Sequence, residues 1–198
     1  MKKICVFCGS SAGKREAYRQ AAQQTAVVLF EAGFEIVYGG ANVGLMKVLA
    51  EAAMAAGANV TGIMPSNLIA KEVAHSGLDR FIEVGTMADR KQMMVDISDA
   101  FVVLPGGFGT LDELFEVITL SQLRLADKPI AILNTENYFG HLLSFIDHTV
   151  NEGFVRSEHR DALLIAKYPF QLPELLKRYK PEPTTKWIDD IKKESQQL

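Results

Sequence analysis

Short, continuously apolar runs alternate with stretches of helical spacing along most of this chain, and that alternation constrains the fold more than any other feature. The runs at 4–7, 35–38, 59–63, 81–84, 101–104 and 129–133 read as strands. Residues 15–32, 44–56, 87–98 and 111–123 fall between such runs and carry apolar residues at helical spacing, and 138–152 does the same after the last run. A strand that is apolar throughout is buried on both faces, which is the condition of a parallel sheet covered by helices. The expected fold class is therefore α/β: a doubly wound, Rossmann-like parallel sheet with helices on both faces, forming a single domain over 1–180. Residues 181–198 are expected to be a tail with a short charged helix at 186–194.

The bulk properties exclude several classes. A chain of 198 residues can bury roughly 70% of its unfolded surface, so it needs no disulfide or metal to fold. Net charge is −3, which supplies no general field for nucleic acid. Apolar stretches break off well before the ~20 residues of a membrane span. The opening run at 4–8 is too short for a signal peptide and lacks a cleavage region, so a cytoplasmic location is expected, with neither nucleic acid nor membrane as partner. Cys5 and Cys8 have the spacing of a redox or zinc pair, but they sit in an extended run, where residues three apart face opposite sides. They read as core. His75, His141, His148 and His159 show no metal-ligand spacing, and no metal or cofactor is expected. Residues 66–80 have no clear period and are long for a loop, which favours a lid or binding segment containing His75.

Ligands of doubly wound sheets bind beyond the carboxyl ends of the strands. Gly9-Ser10-Ser11, Tyr38-Gly39-Gly40, Met64-Pro65-Ser66 and Pro105-Gly106-Gly107 all fall at such ends and are expected to converge on one rim. The most informative of these turns is the last. Pro105 stops a strand, Gly106, Gly107 and Gly109 turn the chain, and Thr110 and Asp112 stand where a helix would begin. A glycine turn feeding a helix N-terminus presents free N–H groups and positive potential to an anion. Glu113 and Glu116 follow at once, so the anion site is joined to carboxylates. Taken alone, an acidic first turn merely complements the helix dipole. The familiar nucleotide fingerprints fail: 9–14 is one residue short of a Walker loop and Arg15 follows where Ser or Thr belongs, while 107–112 lacks the third glycine of the dinucleotide motif.

The run Pro105-Gly106-Gly107-Phe108-Gly109-Thr110-Leu111-Asp112-Glu113, with Arg90-Lys91 upstream, resembles the signature of the Lonely Guy (LOG) family of cytokinin riboside 5′-monophosphate phosphoribohydrolases. The resemblance extends over most of the chain, through Val6-Phe7-Cys8-Gly9-Ser10-Ser11, Gly44-Leu45-Met46, Gly62-Ile63-Met64-Pro65, Ser98-Asp99-Ala100 and Glu116-Val117-Ile118-Thr119. It implies hydrolysis of the N-glycosidic bond of a purine nucleoside 5′-monophosphate to free base and ribose 5-phosphate, with AMP nucleosidase activity within range. It implies Arg90 and Glu113 as the catalytic pair. Glu72, Lys91, Gly106, Gly107, Phe108, Gly109, Thr110, Leu111, Asp112 and Thr119 fall where the family contacts substrate. Gly9, Ser10, Gly39 and Gly40 are expected to support the phosphate loop. The small-molecule partner implied is a nucleoside 5′-monophosphate, and the assembly implied is a homodimer. Phe108 stands where a Tyr is frequent in the family, and Asp112 where a Glu is.

The chemistry of the residues fits. Cleavage passes through a cation-like ribose, and a carboxylate beside the anomeric carbon stabilises that charge and orients water. Glu113, one helical turn after Gly109, is spaced for this role. Arg90 is expected to grip a phosphate or hydroxyl in a fork and to keep the carboxylate ionised. The family has also carried the label of lysine decarboxylase, but no lysine here has a recognisable pyridoxal phosphate setting. An alternative is a non-enzymatic carrier of a nucleotide or of molybdenum cofactor on the same fold. A sugar-phosphate isomerase or transferase is compatible with the loop alone.

Overall fold

The first strand sets the two faces of the sheet. In β1 (Lys3–Phe7) and just beyond it, Ile4, Val6 and Cys8 enter one apolar cluster, while Cys5 and Phe7 enter the other. The two cysteines are free, buried and on opposite faces, as the period of an extended chain requires. These relations come from a computed structural model that describes residues 2–69 and 74–180. Glu72 and the tail helix expected at 186–194 lie outside the described residues.

From β1 the chain runs through α1 (Glu16–Glu31), β2 (Glu35–Tyr38), α2 (Gly44–Ala56), β3 (Val60–Pro65), α3 (Ser66–Ile69) and β4 (Arg80–Val84). It then returns through α4 (Met87–Ile97) to β5 (Ala100–Val103), on the other side of β1. α5 (Phe108–Gln122), β6 (Ile130–Leu133), α6 (Gly140–Asn151), α7 (Ser157–Asp161), β7 (Leu163–Ala166) and α8 (Leu172–Arg178) complete the described order. The sheet has seven strands in the order β4-β3-β2-β1-β5-β6-β7, and every pairing is parallel. Strand order reverses between β1 and β5, which opens a crevice at their carboxyl ends. One face is covered by α1, α2 and α8, through residues such as Leu29, Leu49 and Leu176. The other is covered by α4, α5 and α6, through Met94, Val117 and Ile146. Burying a side chain such as Leu49 fully contributes about 1.5–3 kcal/mol, so the two clusters dominate the stability of the fold. Among the described residues no helix is long and apolar enough to cross a membrane.

The doubly wound parallel sheet agrees with the sequence. Three details differ. The run at 163–166 forms a seventh strand paired with β6, and 172–178 forms a helix against the same edge. Pro65 lies within β3, opposite Val84 of β4; it closes the strand instead of stopping it earlier. Finally, α5 begins at Phe108, ahead of Thr110 and Asp112. Thr110 is buried inside the first turn, because Gly106 has no side chain and leaves room for the Thr110 hydroxyl. Of the segment read as a lid, 66–69 is helical, and 74–75 is tied to the β2 turn by an Ala41–Ala74 bridge and by the His75 N–H donating to the Gly40 carbonyl at 3.1 Å.

Candidate active site

Helix α4 starts firmly. The Thr86 hydroxyl accepts from the Asp89 N–H at 3.1 Å, and the Asp89 carboxylate accepts from the Thr86 N–H at 2.9 Å. This reciprocal cap fixes the first turn and aims Arg90 under the sheet's carboxyl rim. Arg90 is 8% exposed. Its Nε donates to the Ile63 carbonyl at 3.1 Å, its Nη2 to the Gly39 carbonyl at 3.1 Å, and its Nη1 to the Met87 sulfur at 3.4 Å. The guanidinium is thus clamped between the ends of β2 and β3. A Cβ on Gly39 would collide with Nη2, so the glycine there makes space for the arginine.

Helix α5 supplies the other half. Its N-cap is Gly107, which has no side chain to offer, and its first intrahelical bond runs from the Leu111 N–H to the Gly107 carbonyl at 3.0 Å. The N–H groups of Phe108, Gly109 and Thr110 precede that bond and have no intrahelical acceptor. They face a cleft of about 230 Å³ lined by Ser10, Gly39, Met46, Met87, Arg90, Gly107, Phe108, Gly109, Thr110 and Glu113, with Val6 and Cys8 at its floor. The turn is braced from behind. Gly9 donates to the Pro105 carbonyl at 3.1 Å, and the Tyr138 hydroxyl donates to the Gly106 carbonyl at 2.6 Å.

Glu113 projects into this cleft one turn after Gly109. Its Oε1 lies 3.9 Å from Arg90 Nη1, and its side chain is only 12% exposed. Burial pushes its carboxyl up to about 7; Arg90 and Lys91 pull the other way, while Asp112 and Glu116 add to the rise. The expected effect of Arg90 is therefore present but outweighed: desolvation exceeds one loose ion pair whose cation also serves two carbonyls. The Cys8 thiol is pushed far up by burial and then by Glu113, so it stays protonated and serves as wall.

The structure gathers Arg90, Glu113, Ser10, Gly39, Gly107, Phe108, Gly109 and Thr110 around one cleft. It separates the remaining assignments. Gly9, Gly40 and Gly106 lie behind the lining as bracing and close-approach positions. Leu111 packs into the core. Lys91, Asp112 and Thr119 line a different depression of about 310 Å³, with Phe115, Glu116 and Leu120. The Thr119 hydroxyl is spent on the Phe115 carbonyl at 2.8 Å. Met87 and Tyr138 were not singled out from the sequence: nothing in local spacing reports a methionine sulfur over a guanidinium or a phenol reaching across from the start of another helix.

Comparison with known proteins gives the family and the fold. A protein-family model described as "Possible lysine decarboxylase" matches residues 46–176. The chain is 43% identical over 180 residues to the Arabidopsis thaliana cytokinin riboside 5′-monophosphate phosphoribohydrolase LOG5, covering 91% of this chain and 79% of that protein. It is 44% identical over 181 residues to Arabidopsis thaliana LOG2, which carries the same activity in its name, covering 91% and 85%. The chain belongs to the LOG family. Among solved structures, the molybdenum cofactor binding protein from Rippkaea orientalis aligns with a TM-score of 0.68 and 25% identity, over 89% of this chain and 96% of that one. The LOG signature thus sits on a fold shared with carriers, and the residues that line the cleft include no lysine among those described. The decarboxylase wording of the family model finds no amine in that lining.

Proposed function

We propose that this chain hydrolyses the N-glycosidic bond of purine and cytokinin riboside 5′-monophosphates, releasing free base and ribose 5-phosphate. The single observation that carries this reading is Glu113, a desolvated carboxyl 3.9 Å from Arg90, set beside the open amides that begin α5. The phosphate rests on the N–H groups of Phe108, Gly109 and Thr110, where the helix dipole favours negative charge. Arg90 holds a ribose or phosphate oxygen with the protons not committed to Ile63 and Gly39. As the bond from the anomeric carbon to the base nitrogen lengthens, its electron pair leaves with the base. Positive charge grows on the ribose, and the Glu113 carboxylate stabilises it. Water adds to the anomeric carbon and yields a proton to Glu113, and a proton passes to the departing base nitrogen, so one water is divided between the two products. A carboxyl that titrates near 7 suits both taking and returning that proton.

The remaining assignments belong to the same reading. Glu72 contacts substrate. The protein works in the cytoplasm on a small molecule, without nucleic acid, as a homodimer. Phe115, Leu123 and Met87, each more than a third exposed, supply an apolar face on α5 and α4 for the second copy. A monomer in sedimentation at working concentration would rule out the dimer. The activity itself is tested by incubation with AMP and isopentenyladenosine monophosphate, with free base expected from at least one. The likeness to a molybdenum cofactor binding protein favours a carrier as the second reading. Tight binding of a phosphorylated ligand with no base released from any nucleoside monophosphate would establish the carrier instead.

A further inference from the structure

The turn from β6 into α6 is bent more sharply than its residues favour. Glu136 (φ 52°, ψ 30°) and Asn137 (φ 56°) lie consecutively in the left-handed region, which residues with a Cβ rarely enter. Their surroundings hold them there. The Asn134 side-chain amide donates to Asn137 Oδ1 at 3.1 Å, the Phe139 N–H donates to Asn134 Oδ1 at 2.8 Å, and the Tyr138 N–H donates to the Thr135 carbonyl at 3.0 Å. Gly140 has no Cβ, and the Asn137 side chain fills the space that one would need. Two rings meet Tyr138 edge-on, Tyr18 with centroids 5.6 Å apart and Phe139 at 4.9 Å. This strained but over-determined turn delivers one contact to the candidate site: the Tyr138 hydroxyl donates to the Gly106 carbonyl at 2.6 Å.

The Gly106–Gly107 peptide is trans, so its C=O and N–H point in opposite directions. Gly107 lines the cleft, whereas Gly106 and Tyr138 do not. With the carbonyl drawn back to Tyr138, the Gly107 N–H is turned to the cleft side, and it has no acceptor among the described residues. The backbone by itself does not select this orientation. Gly107 has φ −92°, and a half-turn of the peptide plane carries it to about +90°, a region that glycine enters freely. The space in which a Gly107 side chain would stand is open. After such a turn the Gly106 carbonyl oxygen would face an incoming phosphate, and two electron-rich oxygens would oppose each other. We propose that Tyr138 is a positioning residue for the phosphate: its hydroxyl holds the Gly106–Gly107 peptide with the N–H inward and so adds Gly107 to the donors of Phe108, Gly109 and Thr110. This deepens the proposed hydrolase reading and rests on it. The anion site then has four successive amides instead of three, all at the start of α5, where the helix dipole also favours negative charge.

The test removes the donor and keeps the ring. Tyr138→Phe retains the packing against Tyr18 and Phe139, so the fold is kept. Binding is read by calorimetry with ribose 5-phosphate and with inorganic phosphate. Catalysis is read as kcat and KM separately, on whichever of AMP and isopentenyladenosine monophosphate is cleaved. In Tyr138→Phe both phosphate ligands bind roughly three- to tenfold more weakly, the bias that one hydrogen bond exerts on a peptide with two orientations. KM rises by the same factor, while kcat stays within about twofold because Arg90 and Glu113 are untouched. Tyr18→Phe removes the hydroxyl of the neighbouring ring and leaves both dissociation constants within about twofold of the parent. Unchanged phosphate binding in Tyr138→Phe, an equal loss in Tyr18→Phe, or a fall in kcat with KM in place overturns the proposal. So does a parent protein that binds neither phosphate. The binding measurements need no turnover, so a protein that bound these phosphates but released no base from any nucleoside monophosphate would sink the hydrolase reading while still deciding the role of Tyr138.

Discussion

Two hollows in this molecule differ in a way that shows where chemistry resides. The larger, about 410 Å³, lies beside β6 and β7 under α7 and α8 and includes Ile118, Arg124, Lys128, Leu164 and Arg178 in its wall. Three of its cations are already matched: Arg124 pairs with Asp127 at 3.4 Å, Lys128 donates to the Val95 carbonyl at 2.7 Å, and Arg178 pairs with Glu174 at 2.6 Å. The cleft at the β1–β5 reversal, about 230 Å³, is smaller and far less settled. Its amides have no capping side chain, and its acid is held near 7 against the pull of an arginine. Volume measures room, whereas a group at odds with its surroundings marks a place prepared for a ligand.

The contrast can be broken most forcefully at Glu113. Glu113→Gln should slow base release by roughly a hundredfold or more, measured as product per enzyme at saturating substrate. Near-parental turnover would remove this carboxyl from the reaction. Gly39→Ala comes next. Its methyl group displaces the Arg90 guanidinium from the end of β2, and kcat/KM should fall roughly tenfold or more, while the outward-facing Asp112→Asn stays well above that.

Acidity sharpens the comparison further. Glu113 acts as the carboxylate, so kcat/KM should rise with pH and level off above about 7, with the limb absent in Glu113→Gln. The same shift governs folding. Because the folded protein raises this carboxyl, the protonated form contributes stability that is complete below the ordinary carboxylate range and is lost as pH rises through about 7. Glu113→Gln should therefore melt above the parent at pH 8, by about 3 kcal/mol or roughly 6–12 °C, and converge with it near pH 4. Equal melting temperatures at both pH values would mean that the carboxyl is not desolvated. The smallest effect belongs to the larger hollow. Arg124→Met or Lys128→Met should change kcat/KM by less than about twofold, and a large loss would make that hollow part of the site.

Much of this organisation was legible in the residues themselves. Largely apolar runs announced β1, β2, β3, β5 and β6, because a strand covered on both faces has no exposed side on which to place polar residues, whereas β4, exposed at the sheet edge, carries Arg80 and Glu83. The run at 163–166 is as long as several of these, but the short helix α7 precedes it in place of a long stretch of helical spacing, so the alternation does not mark it. Arg90 and Glu113 were legible through a motif of fixed spacing. Lys91 and Thr119 belong to the same pattern; in the fold Lys91 bridges two carboxylates and the Thr119 hydroxyl bonds its own helix, which the pattern does not report.

By itself the sequence determined the parallel sheet, the glycine turn that opens α5, and the placement of an acid one turn later, because period and spacing act along a single element. Only the tertiary structure decided that Arg90 is clamped by Ile63 and Gly39, that Lys91 faces away from the cleft, and that Glu113 is buried enough to titrate near 7. Those outcomes depend on which elements approach one another and how much water they exclude, and desolvation is a property of the assembled surroundings that no single segment carries.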